Sequence, residues 1–474
     1  MTHDIAIVMV GFAQAIALFV IGTGLAQNLI YLIQLLLAAG ALSARPSIPQ
    51  SAVLWRRYAE ASPPIALLAP AYNEALTIVQ SVRSLLSLRY PSFEVIVIND
   101  GSSDATLQVL IDAYDLQPVR RHYDEALSHQ PIRGIYAAAH QPRLIVVDKA
   151  NGGKADALNA GINVSRAPIF CSMDADSLLE PDALLRAVRP FVEDPERTVA
   201  VGGTVRIANG CVIRDGQVLE VRPPRNLLAL LQTVEYLRAF LMARLAWSRI
   251  NTLTIISGAF GLFRRARVIE VGGYTKGTVG EDMELVVKLH RLMRDQGRPY
   301  RVAFVPEPVC WTEAPENLRV LARQRSRWHR GALETFERHW DVMFKPRYGR
   351  LGPVGFGYLF LVDVLGPIVE LLGYVLIPAF WMLGLLSMDY LLAFLAVSFT
   401  FGVVISVGAL ALEESELRRF PRAWNLVLLT AVAVLENFGY RQLNNLWRLW
   451  GLWQYLRRSQ SWGTMTRKGF SPSA

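Results

Sequence analysis

Cysteine is scarce in this chain. Cys171, Cys211 and Cys310 are the only three among 474 residues, too few and too scattered for a disulfide frame or a zinc site, and they read as reduced core thiols. Charge is absent altogether from Ile5 to Leu42, a run longer than the ~20 apolar residues a membrane-spanning helix needs. It is expected to form either one long tilted helix or a tight hairpin broken near Gly22-Thr23-Gly24. No Lys or Arg precedes the run and it exceeds a signal h-region, which argues against a cleaved leader. Also missing are a Lys/Arg-rich run with interleaved aromatics and a recognition-helix signature, so no nucleic-acid partner is expected. The formal charge of +9 reads instead as positive-inside anchoring plus an anionic substrate. Arg45, Arg56 and Arg57, just after the apolar run, favour a cytoplasmic location for the domain on their C-terminal side. No Ser/His or Cys/His arrangement offers a covalent nucleophile.

Apolar residues make up 52% of the chain and mean hydropathy is +0.27, more than a soluble domain of this length usually shows. Further apolar runs lie at Val354–Leu386, Tyr390–Leu412 and Leu426–Leu435. The expected organisation is an N-terminal transmembrane segment (1–44), a cytoplasmic α/β domain (45–345), transmembrane or interfacial helices (346–440) and an amphipathic C-terminal segment (441–474).

Within 45–345, strands and helices alternate. Ile65–Ala69, Glu94–Ile98, Leu144–Val147 and Ile169–Met173 read as strands, each followed by a polar loop and most by a helical pattern. This predicts a mostly parallel sheet with helices on both faces. Right-handed crossovers then line the four loops along one edge, where α/β sheets bind ligands. Those loops carry Tyr72 and Glu74, Asp100, Lys154, and the Asp174-Ala175-Asp176 pair, which should converge on one crevice.

Asp174 and Asp176 are hard oxygen ligands suited to Mg²⁺ or Mn²⁺, which usually keep further positions for water and substrate phosphates. Asp100-Gly101-Ser102-Ser103-Asp104 also fits a turn with a helix cap. Asn151-Gly152-Gly153-Lys154 fits a glycine-permitted turn, or a close backbone approach to a pyrophosphate; the P-loop spacing is missing. Glu281 and Asp282 open a helical run and suit its dipole. Gln324, Arg327 and Trp328, at i, i+3 and i+4, share one helix face. An amide, a guanidinium and an indole suit a diphosphate and a sugar, or a simple Arg/Trp stack.

Asp100, Asp174-Ala175-Asp176, Glu281-Asp282 and Gln324-x-x-Arg327-Trp328, in that order and flanked by apolar segments, resemble the membrane-embedded family-2 inverting glycosyltransferases. Hyaluronan, cellulose, chitin and poly-N-acetylglucosamine synthases are among them. The resemblance runs densely from about Pro63 to Met343. It implies a GT-A-type nucleotide-sugar domain, with Tyr72, Glu74 and Asp100 near the nucleotide and Asp176 on the metal. It also implies Asp282 as general base, and Gln324, Arg327 and Trp328 around the diphosphate and acceptor sugar. The tail Ser461-Trp462-Gly463-Thr464-Met465-Thr466-Arg467 resembles the gating loop of hyaluronan-type synthases, with Trp462, Thr464 and Arg467 as the candidate residues. It departs from that pattern, since Arg467 is three positions after Thr464 rather than adjacent.

The expected function is a processive polysaccharide synthase, taking a nucleotide-diphosphate sugar of the UDP-linked class and passing the growing glycan through its own membrane helices. Asp363 and Glu370, acids at membrane depth, point to a bundle interior or aqueous cavity; Asp363 at the headgroup level of an interfacial helix is the alternative. Arg441–Arg458 reads as an amphipathic helix lying on the bilayer, with the C-terminus inside and an even number of crossings between the catalytic domain and that tail. The rival reading is a non-processive transferase acting on a lipid, as in ceramide glucosyltransferases. A catalytically dead scaffold in a secretion complex is a third, and an accessory secretion or regulatory subunit is a further candidate partner. No cyclic-nucleotide-binding domain is expected after the membrane region. The donor sugar is not encoded in any motif.

Overall fold

The computed structural model describes residues 2–44, 51–214, 216–417 and 423–457. They form two compact units, one built from the described residues within 45–225 and 247–314, the other from those within 1–44, 226–246 and from 315 on.

The first unit is an α/β sheet domain. Its strands are β1 (Ile65–Ala71), β2 (Phe93–Asp100), β3 (Gln117–Pro118), β4 (Ile132–Ala138), β5 (Gln141–Lys149), β6 (Ile169–Met173), β7 (Leu178–Leu179), β8 (Thr198–Ile207), β9 (Val212–Arg214), β10 (Gln217–Glu220), β11 (Phe260–Arg264) and β12 (Arg301–Thr312). Ten of them make one sheet in the order β3-β4-β5-β2-β1-β6-β11-β8-β12-β7, and β9 and β10 pair separately. The four strands expected from the sequence, β1, β2, β5 and β6, lie side by side and parallel. Their near-continuous apolar runs are what burial on both faces requires. Around them the sheet is mixed, because β11 runs antiparallel to both β6 and β8, and β4 antiparallel to β5.

Register sets the site. Ala71 pairs with Asn99 and Asp100 with Lys149, so neighbouring strands end level and release their loops along one edge. The helix Lys154–Val164 follows β5, and the helix Glu281–Asp295 precedes β12.

The second unit is helical. Thr2–Ser43 is one continuous helix, which decides against the hairpin: Gly22 and Gly24 stay within it. Among the described residues, three helical stretches are long and apolar enough to cross a membrane: Asp4–Ser43, Pro346–Met382 and Met388–Glu414. Ala423–Leu435 and Tyr440–Leu456, bent by 55° at a short break, form a fourth if taken together. Small residues allow close packing, with Ala13, Ala17 and Val20 buried against Val369, Ile377 and Phe394. This is the usual basis of association where lipid removes the hydrophobic drive.

The helix Tyr440–Leu456 carries two faces. Leu446, Trp450, Trp453 and Leu456 are exposed, whereas two of its arginines turn inward. Arg448 pairs with Asp363 (3.2 Å), and Arg441 forks onto both oxygens of Glu370 (3.0 and 3.1 Å). Each acid inside the Pro346–Met382 span therefore has its own guanidinium. The same helix packs closely on Leu318–His339: Ser326 Oγ donates to the Trp447 carbonyl (2.9 Å), and a Cβ added at Gly451 would lie 2.5 Å from the Ser326 carbonyl oxygen. Only glycine tolerates that approach.

Candidate active site

The exits of β1, β2 and β5 are stitched to one another. Asn73 adopts a left-handed backbone (φ 57°) and its Oδ1 accepts from Ser103 N (2.9 Å), while Ser102 Oγ accepts from Asn73 N (3.0 Å). Glu74 N donates to Thr106 Oγ1 (2.8 Å), and the Glu74 carboxylate accepts from Thr77 Oγ1 (2.8 Å). Tyr72, at the tip, is exposed.

Asp100 is buried and engaged. Its Oδ1 accepts from Lys149 Nζ (2.5 Å) and Gly152 N (3.0 Å), and its Oδ2 from Gly153 N (2.7 Å). A carboxylate with these partners shapes the Asn151-Gly152-Gly153 turn and thereby aims Lys154. Lys149, absent from the residues expected from sequence, is fully buried and bridges Asp100 to Asp156 (2.7 Å). Its only sequence signal was a lysine closing an apolar strand.

Lys154 opens its helix and reaches the β6 exit. Its Nζ lies 2.6 Å from Asp174 Oδ1, 3.6 Å from Glu281 and 3.4 Å from the Gly258 carbonyl. Asp282 joins through the same residue, its Oδ2 accepting from Gly258 N (3.0 Å) and its Oδ1 from Met283 N (2.8 Å). The strand-exit acid and the helix-start acids are thus brought onto one lysine and one peptide. Burial alone would lower the Lys154 ammonium; Asp174 and Glu281 overcome this and hold it above its ordinary value. Burial pushes the Glu281 carboxyl up to about 7, with Lys154 opposing and Asp282 adding to the rise. Asp282 is the more accessible of the two acids.

Asp174 and Asp176 flank buried Ala175, and both are half-buried. Among the described residues no group of three or more His, Cys, Asp or Glu could hold a metal ion. The pair nevertheless fits a hard divalent cation, which needs only one or two carboxylates when substrate phosphates and water complete its shell. The nearby soft donor is held out of play: burial raises the Cys310 thiol well above its ordinary value, and it bonds the Ala259 carbonyl.

Gln324, Arg327 and Trp328 belong to the helical unit, on Leu318–His339. Gln324 Oε1 is buried with no hydrogen-bond partner among the described residues. Trp328 is half-exposed, with Arg325 over its ring at 4.4 Å and Tyr236 beside it. Arg325 in turn pairs with Glu235 (2.8 Å). The cation stacked on Trp328 is thus Arg325, which the sequence reading did not name. Trp462, Thr464 and Arg467 lie outside the described residues.

Residues 63–331 match the family described as "Glycosyltransferase like family 2". The chain belongs to this glycosyltransferase family. Among its relatives, the poly-β-1,6-N-acetyl-D-glucosamine synthase of Staphylococcus aureus strain COL is 30% identical over 284 residues, which are 60% of this chain and 58% of that protein. The corresponding synthase of Staphylococcus epidermidis is 29% identical over 274 residues, 58% of this chain and 56% of its own length. The match thus spans less than two thirds of these curated relatives. In fold, this glycosyltransferase is similar to the mannosyltransferase PcManGT of Pyrobaculum calidifontis, solved with GDP-Man and Mn²⁺. That likeness has a TM-score of 0.55 at 18% identity and covers 95% of this chain and 99% of that one. The GT-A-like reading of the sheet domain agrees with it.

Proposed function

We propose that this glycosyltransferase is a processive, inverting polysaccharide synthase using a nucleoside-diphosphate sugar, with UDP-N-acetylglucosamine the first donor to test. The observation that carries the reading is the meeting of Asp174, Glu281 and Asp282 at Lys154 and Gly258. The donor choice rests on the two poly-N-acetylglucosamine synthases it resembles.

In the proposed reaction Asp282 takes the proton of an acceptor hydroxyl as that oxygen attacks the anomeric carbon from the side opposite the leaving group. The Gly258 amide fixes the carboxylate's orientation. Lys154 faces the departing diphosphate with a charge that Asp174 and Glu281 keep protonated, and such fixed charge is usually the largest catalytic contribution. Asp174 and Asp176 would hold Mg²⁺ or Mn²⁺, which would supply Lewis-acid neutralisation of the diphosphate's charge. Glu281 acts through Lys154 and is a positioning residue. Tyr72 and Glu74 are proposed for the nucleotide, with Asp100 supporting the turn beside it. On their chemistry, Gln324 and Arg327 are proposed for the diphosphate and Trp328 for the acceptor sugar.

Passage of the product through the membrane is part of the proposal. Support comes from polar groups held inside the helical unit, where Thr23, Gln27, Asn28, Glu370, Ser398 and Arg441 line a cavity. A cytoplasmic sheet domain is part of the proposal, and Arg45, Arg56 and Arg57 just after the first apolar helix support it. Purified protein should be screened with UDP-N-acetylglucosamine, UDP-glucose, UDP-glucuronate and GDP-mannose, with product sizing. Asp282→Asn should cut transfer by at least ~10²-fold while nucleotide binding persists. Joint loss of both would reassign Asp282 to the donor site, and a single-sugar lipid product would replace the polymer reading.

A further inference from the structure

The helix Lys154–Val164 is the hub of a second polar system, on the face away from Lys154's own contacts. Asp156, Asn159 and Asn163 recur at i, i+3 and i+7, so they lie along one stripe, and all three are buried. Each holds a loop. Asn163 exchanges two hydrogen bonds with the Leu127 backbone (2.7 and 3.1 Å). Asn159 exchanges two with the Tyr274 backbone (2.9 and 2.8 Å). Asp156 accepts from Gln130 N (2.9 Å), Lys149 Nζ (2.7 Å) and Lys276 Nζ (3.1 Å). Gly152 makes room for this, since a Cβ there would stand 2.4 Å from the Asp156 carboxyl.

The segment from Tyr274 to Gly280 runs directly into Glu281 and Asp282. Its first residue is anchored twice, through its backbone on Asn159 and through a hydroxyl contact to Ser172. Thr275 is tied to the following helix by Glu284 (2.8 Å) and Lys288 (3.0 Å). Lys276 is different. Its side chain is 40% exposed while its partner Asp156 is fully buried. If Lys276 lets go, Asp156 keeps the Lys149 ammonium and the Gln130 amide, so no buried charge is stranded. An ion pair with one wet partner and a pre-neutralised dry one can open at little cost.

We propose that the Lys276–Asp156 pair is a latch that positions the Thr278–Asp282 stretch, and with it Asp282, against Lys154. Lys276 is a positioning residue: it acts on the reaction only through the loop that delivers the base. When the latch is closed, Asp156 and Lys154, on one helical turn, fix the loop and the phosphate-facing charge in a single frame. This rests on the assignment of Asp282 as base. It adds that the chain holds a separable control on the turnover step.

The test compares full-length wild-type protein with Lys276→Met and Lys276→Arg, using UDP-N-acetylglucosamine for turnover, UDP for binding, and amide hydrogen exchange over residues 274–282. Lys276→Met should lower kcat about tenfold, a scale small misplacement can produce, with KM and UDP affinity within about twofold. Exchange over 274–282 should rise roughly tenfold as the loop opens locally. Lys276→Arg should restore most of both. Wild-type kcat and exchange in Lys276→Met would overturn the latch, as would a parallel loss of UDP affinity. Faster exchange in Lys276→Met, with an Asp282→Asn variant that transfers sugar like wild type, would uphold the latch and remove the base assignment instead.

Discussion

Replacing Lys149 by methionine keeps the length of the side chain and deletes the ammonium between Asp100 and Asp156. All three residues are essentially inaccessible, and Lys149 Nζ contacts both carboxylates (2.5 and 2.7 Å) and the Ala150 carbonyl (2.6 Å). Removing one member of a buried ion pair costs about 3–5 kcal/mol, because the remaining charge is left uncompensated. For a domain of this size each kcal/mol moves the midpoint by about 2–4 °C, so Lys149→Met should lower Tm by roughly 6–20 °C. Asp100 retains two glycine amides and Asp156 retains Lys276, which places the loss toward the lower end. Thermal melts in one detergent, with Asp156→Asn and the double variant, complete a cycle. The double variant should be less damaged than the sum of the singles by about 1–3 kcal/mol, since each single change strands the other's partner. Burial disfavours the Asp156 carboxylate, yet hydrogen bonds from Lys149, Gln130 and Lys276 hold it below its ordinary value. Its contribution is therefore present at neutral pH and lost only as pH falls through that lowered range. A Tm for Lys149→Met within about 3 °C of wild type, roughly the effect of 1 kcal/mol, would refute the reasoning.

Asp176→Asn should abolish metal-dependent transfer without reducing expression, because the pair offers only hard oxygens; full activity in EDTA would contradict the metal assignment. Arg327→Lys keeps charge but loses the bidentate fork, so donor use and inhibition by product nucleotide should weaken together. Trp328→Ala should leave nucleotide affinity near wild type and shorten the product, and equal loss of nucleotide binding in both variants would make Trp328 packing support only. His290 is buried between the Leu253 carbonyl (2.8 Å) and the Tyr300 hydroxyl (2.7 Å), and burial pushes it down to about 4. The unfolded chain takes up that proton near 6.5 and the folded chain does not, so stability should be full above pH 6.5 and fall by about 3 kcal/mol toward pH 4. His290→Gln should flatten the difference between melts at pH 7 and pH 5, and an unchanged slope would exclude His290 as its source.

The four parallel strands and their polar exits were legible because each is a short apolar run closed by a turn, and a strand's burial is written in its own residues. Asp174, Asp176, Lys154, Glu281 and Asp282 could be named for the same reason: they stand at element ends, where a charge has no packing role to hide behind. The apolar helices were equally plain, since the absence of charge over Ile5–Leu42 is a local property.

What depended on tertiary structure was the pairing of residues far apart in the chain. Nothing near Lys149 announces that it will sit between Asp100 and Asp156, 49 residues from the first. Asp100, expected near the nucleotide, also shapes a turn, because two glycine amides and an ammonium close on it. Lys276 carries no signal in the sequence, and only the fold sets its ammonium beside Asp156 (3.1 Å). The amphipathic pattern of Tyr440–Leu456 was visible, but its polar side could have faced water; only packing against Pro346–Met382 matched Arg441 to Glu370 and Arg448 to Asp363. The physical reason is common to all four. Hydrophobic periodicity is fixed by neighbours in sequence, whereas a buried charge is tolerated only where another element supplies its partner, and that element is chosen by the fold.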